Sequence, residues 1–186
     1  MSTDFLPING TDHIEFYVGN AKQASLYYQH CFGFELIAYA GPETGVKDKV
    51  SYVLKQNKIR FVLTTSLQPG SEISEHVNKH GDGVKVLALW VDDAAYSFNE
   101  TTKRGAQVAM KPQTLKDENG EVVMASIKTY GETIHTFVER KNYKGAFLPG
   151  FKPAKSSFKT TPVGLEVVDH ALRNEKERKD QANRQQ

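Results

Sequence analysis

The chain has 186 residues, room for one principal core at roughly 150 residues per domain and too few for a large multidomain enzyme. Hydrophobic residues make up 39%, charged 25% and aromatic 10%, which excludes collagen-like, low-complexity and wholly disordered classes. The net charge of +2 lies entirely in residues 171–186, which hold five basic and three acidic groups, so the body is neutral and carries no electrostatic footprint for nucleic acid.

The longest apolar runs are strand-sized, such as residues 86–91, and the first ten residues lack the pattern of a secretion signal. Neither a membrane span nor export is expected. The single Cys31 cannot form an internal disulfide, so the cytosol is the default compartment.

In chain order, residues 13–18 read as a strand, followed by Asn20 as a helix N-cap with Gln23 three positions on. Ala21, Ala24, Tyr28 and Cys31 recur at helical spacing, and Gly33 supplies a left-handed stop. Strands are predicted over 34–40, 49–56 and 59–65, the last two joined by the turn Asn57-Lys58. A connecting helix spans 70–81 with Ser71 as cap. The grammar then repeats: strand 84–91, a helix capped at Asp92 or Asp93 and stopped by Gly105, and strands 106–110, 122–129 and 133–139, turning at Tyr130-Gly131. Two β-α-β-β-β modules make an α+β fold, expected as two small antiparallel sheets side by side with helices on the convex face and an open cup on the other.

Period two places His13, Glu15 and Tyr17 on one face of the first strand and His135, Phe137 and Glu139 on one face of the last. Such groups could line the cup and ligate a divalent metal, although local hydrogen bonds for the histidines and solvation of Glu139 account for them as well. His76 and His80, four apart on the connecting helix, could chelate, or could form a solvated face. Cys31 reads as packing. Gly81-Asp82-Gly83 precedes no helix and reads as a turn, and Tyr27, Tyr28 and Trp90 read as core or interface aromatics.

The runs Phe16-Tyr17-Val18-Gly19-Asn20-Ala21-Lys22-Gln23-Ala24, Lys79-His80-Gly81-Asp82-Gly83-Val84-Lys85, Thr129-Tyr130-Gly131-Glu132-Thr133-Ile134-His135-Thr136 and Phe147-Leu148-Pro149-Gly150-Phe151 closely resemble the 4-hydroxyphenylpyruvate dioxygenase family, and the resemblance covers nearly all of residues 11–174. It implies the vicinal-oxygen-chelate fold. It also implies oxidation of 4-hydroxyphenylpyruvate by O2 to homogentisate and CO2 in tyrosine catabolism, with non-haem iron(II) held by two histidines and a carboxylate. In that family the iron lies in the C-terminal pair of modules, whereas residues 11–139 resemble the N-terminal pair.

The expected organisation is an N-terminal arm (1–10), an N-terminal domain (11–140, with modules about 11–66 and 84–140), a linker (141–162), a remnant of the first C-terminal strand (163–174) and a disordered charged tail (175–186). His170, after Asp169, matches the family's first iron-binding histidine. The family commonly reads Val-Gly-Asn where this chain has Leu172-Arg173-Asn174. The second histidine, the glutamate and the substrate pocket belong to the stretch that follows in the family. One imidazole does not retain ferrous iron, so the resemblance implies a chain without turnover by itself. Alternatives are an assembly module, self-associating through exposed edges, and a small metalloenzyme using His13, Glu15, His135 and Glu139.

Overall fold

Local chemistry starts and stops the helices where the sequence indicates. The structure, a computed structural model, describes residues 4–171. After β1 (Gly10–Tyr17), Asn20 Oδ1 accepts the Gln23 N–H at 3.0 Å and opens α1 (Ala21–Phe32). Gly33, at φ 70°, closes it by donating to the Gln29 carbonyl. β2 (Glu35–Ala40), β3 (Lys49–Gln56) and β4 (Ile59–Ser66) follow, then α2 (Glu72–His80), capped by Ser71. The second module repeats the order: β5 (Gly83–Trp90), α3 (Ala94–Lys103) capped by Asp93, β6 (Val108–Asp117), β7 (Gly120–Lys128) and β8 (Ile134–Glu139). A two-residue strand, β9 (Lys152–Pro153), comes from the linker.

The strands form one continuous mixed sheet, in the order β6-β7-β8-β5-β1-β4-β3-β2-β9, rather than two antiparallel sheets. Within each module the outer members are parallel, β1 with β4 and β5 with β8. The helical crossover restores the chain direction and two hairpins then reverse it twice, so the fourth strand returns parallel to the first. The modules are joined by antiparallel β1–β5 pairing, with Ile14 opposite Leu87. β6 is longer than the sequence suggests and tolerates Pro112 because it is an edge strand with irregular register between Met110 and Gln113.

Alternation assigns each side of the sheet. On the helix side, Phe34, Leu54, Ile59 and Leu63 pack beneath α1, and Ala125, Ile127 and Phe137 pack with Ala94 and Phe98 of α3. On the other side, Ala38, Val62, Val86, Val122 and Val138 come from strands far apart in the sheet yet share one cluster, so the sheet curls. The expected cup exists, but Phe147 and Leu148 of the linker fill much of it. Each such side chain contributes about 1.5–3 kcal/mol by burial.

Three expectations change here. Cys31 is exposed, because the inward stripe of α1 runs through Tyr28 to Phe32. Tyr27 and Trp90 are exposed, which removes the core half of their core-or-interface reading, while Tyr28 packs among Phe16, Phe34 and Phe61. Residues 163–171 form no strand: they lie along the β3–β4 turn, where Lys58 N donates to the Glu166 carbonyl at 3.0 Å and Asn57 Nδ2 to that of Leu165 at 2.8 Å. Leu172, Arg173, Asn174 and the tail assigned to 175–186 lie outside the described residues.

Candidate functional site

β1 carries the polar floor of the cup. Glu15 accepts a hydrogen bond from Thr64 Oγ1 at 2.6 Å, and Thr64 is 2.8 Å from Ser51 Oγ on the neighbouring strand. The second module repeats that pair as Ser126 and Thr136, also 2.8 Å apart, an echo of the internal repeat at the level of single hydroxyls. His13 faces the same cavity, its ring edge-on to Phe147 with centroids 5.0 Å apart. About 330 Å³ of space remains there, at the lower limit for a small-ligand site.

Beside it lies a buried charge network. Asp12, only 2% exposed, accepts Nε and Nη2 of Arg140 at 2.6 Å each and lies 2.7 Å from His13 Nδ1. Arg140 also donates to the Phe147 carbonyl at 2.6 Å. Burial by itself would raise the Asp12 carboxyl, but the hydrogen bonds and charges of His13 and Arg140 outweigh it and hold the group well below the usual carboxylate range. The bidentate pair clamps β1 to the end of β8 and to the linker. Chemically it is a positioning device, since every oxygen of Asp12 is engaged with the protein.

The structure does not bring His13, Glu15, His135 and Glu139 together. Thr136 and Val138 point into the cup, so His135 and Glu139 face the helices with Phe137, and Glu139 Oε2 accepts the Ala94 N–H at 3.2 Å at the start of α3. Burial lowers the His135 imidazole below its ordinary range. The four-ligand centre is therefore overturned by strand parity, and Glu139 caps a helix rather than being solvated. The local hydrogen bond expected of His13 is present.

His170 is 66% exposed and hydrogen-bonds Asp169 at 2.8 Å. His76, by contrast, is buried rather than on a solvated face, and the β7–β8 turn brings Glu132 to it and to His80. Among the described residues, these three form the one group of His, Cys, Asp or Glu able to converge on an ion. Asp12, Arg140 and Glu132 were not singled out by the sequence; Asp12 meets Arg140 across 128 positions and Glu132 meets His80 across 52, and only the Thr129–Thr136 run hinted at Glu132.

The family model described as hydroxyphenylpyruvate dioxygenase, N-terminal, matches residues 3–148. The chain belongs to the hydroxyphenylpyruvate dioxygenase family. The 4-hydroxyphenylpyruvate dioxygenase of Dictyostelium discoideum is 45% identical over 173 residues, covering 90% of this chain and 47% of that protein. The Caenorhabditis briggsae dioxygenase is 46% identical over 169 residues, 88% of this chain and 43% of the relative. The chain thus spans about half the length of these curated relatives. Among solved structures, a triple mutant of 4-hydroxymandelate synthase from Streptomyces coelicolor superposes with TM-score 0.70 at 26% identity, covering 87% of this chain and 45% of that one. Methylmalonyl-CoA epimerase from Mycobacterium tuberculosis, at TM-score 0.58 and 19% identity over 74% of this chain and 91% of that one, shares the vicinal-oxygen-chelate fold.

The iron associated with the dioxygenase family needs a facial set of two histidines and a carboxylate. His170 does not fit that demand: it offers one exposed imidazole already bonded to Asp169, and no third ligand converges on it among the described residues. No helix in the described residues is long and apolar enough to cross a membrane.

Proposed function

We propose that this chain is the N-terminal half of a 4-hydroxyphenylpyruvate dioxygenase, a scaffold for the conversion of 4-hydroxyphenylpyruvate and O2 to homogentisate and CO2, and that it does not turn over by itself. The observation that carries this reading is the state of His170. By resemblance it matches the family's first iron-binding histidine, and it stands in solvent with Asp169 as its hydrogen-bond partner. One imidazole with one carboxylate leaves ferrous iron without the ligand number that holds it.

The scaffold role is supported by how the linker is fastened. Ala154 N donates to the Ile37 carbonyl at 3.1 Å, Ser156 bonds the buried Gln29, and Phe158 stacks on His30 at 4.1 Å between centroids. These contacts carry the chain along the first module and set where the segment bearing His170 begins.

Iron(II) titration followed by oxygen uptake on 4-hydroxyphenylpyruvate tests the proposal. The expected result is no uptake that depends on the 2-oxo acid. Steady homogentisate formation by the chain alone would overturn it, whereas iron binding without substrate-dependent uptake would not.

A further inference from the structure

His76 and His80 sit one turn apart on α2, and Glu132 reaches them from the β7–β8 turn. His76 is turned inward, its side chain 7% exposed and its ring edge-on to Tyr17 with centroids 5.5 Å apart. Its Nδ1 is buried and has no hydrogen-bond partner. That atom lies 3.7 Å from Glu132 Oε2, too far for a hydrogen bond, and the same Oε2 is 3.1 Å from His80 Nε2. The ligand atoms of the three residues all lie within 4.8 Å of one another.

A simple ion-pair reading explains part of this. Glu132 bonds both Lys79 and His80, which together hold its carboxyl down to about 2. It leaves His76 unexplained, because a native interior seldom strands a buried polar atom. An ion supplies the missing partner. Donors around a tetrahedral zinc, at bonds of about 2.0–2.2 Å, stand roughly 3.3 Å apart, so the two measured separations already bracket the required value.

We infer that His76, His80 and Glu132 form a binding site for a zinc-class divalent transition metal, with an outward position open to solvent, joining α2 to the β7–β8 turn. Two imidazoles against one carboxylate favour a borderline cation over calcium or magnesium, which prefer oxygen donors. Burial of the His76 ring, and after it the charges of Lys85 and His80, disfavours its charged form. The positive neighbours limit affinity without blocking the site. Lys85 is paired with Glu72 at 2.9 Å, and Lys79 holds Oε1 of Glu132, leaving Oε2 to the ion.

The test is zinc titration calorimetry on the metal-stripped chain, with His80→Ala and Glu132→Gln as variants because both side chains are substantially exposed and neither change opens the core. The expected result is one zinc per chain, weakened at least about tenfold in each variant, with His170→Ala unchanged. At a free zinc concentration about 100 times the wild-type Kd, the wild-type melting temperature should rise by roughly 5–10 °C, and that of a variant weakened about tenfold by no more than about half as much. Absence of zinc binding, binding that survives both exposed substitutions, or binding lost in His170→Ala would overturn the site. Binding that weakens in His80→Ala but not in Glu132→Gln would overturn the bridge between α2 and the turn.

Discussion

Burying the Asp12 carboxylate would be prohibitive without the Arg140 fork and the His13 ring, and removal of the carboxylate strands the arginine in turn. Asp12→Ala is expected to cost about 3–5 kcal/mol in urea denaturation, the usual consequence of leaving half of a buried pair behind. The pH dependence follows from the depressed folded value. Below the ordinary carboxylate value of 3.8 the unfolded chain binds the proton that the folded chain refuses. The stability due to Asp12 is therefore intact above about pH 5 and declines as pH falls toward 2. Melting curves across that interval should steepen for the wild type and flatten for Asp12→Asn. At this scale the sequence disclosed that His13 would bond locally. It could not disclose Arg140, 128 positions away, because the meeting of β1 with the end of β8 depends on how two modules join.

Helix ends were legible because capping is a contest among neighbours within a few residues. Asn20, Ser71 and Asp93 each accept the backbone N–H three positions on, and Gly33 and Gly105 both adopt positive φ. The two glycines look equivalent in sequence but differ in surroundings. A methyl on Gly33 would meet the Thr161 carbonyl oxygen at 2.0 Å, while one on Gly105 would meet nothing within 4 Å. Both alanine substitutions carry the left-handed penalty of about 1–2 kcal/mol. Gly33→Ala should be the more destabilising and should also release the linker, seen as faster proteolysis between residues 154 and 165, whereas Gly105→Ala should leave that segment protected. Equal cleavage rates would contradict the packing account. The inward stripe of α1 illustrates the limit of periodicity: Ser25 and Gln29 are buried although polar, because Gln29 Nε2 donates to Ser25 Oγ and Ser156 of the linker donates to Gln29 Oε1.

Across the whole molecule, the cup is closed by its own chain. Phe147, 2% exposed, inserts between the two modules, and its carbonyl takes the third arm of Arg140. Phe147→Ala is expected to cost about 3–5 kcal/mol and to lower the urea midpoint without changing the family fold; an effect below about 1 kcal/mol would mean that the cup collapses onto the void. The repeat, the caps and most strands were determined by the sequence alone, since periodicity and turn chemistry act over a handful of residues. Tertiary structure decided the rest: one sheet in place of two, which parity of β8 faces the cup, and the meeting of His76 and His80 with Glu132. Those outcomes depend on strand direction and on contacts between residues far apart in the chain, and alternation along a single strand is blind to both.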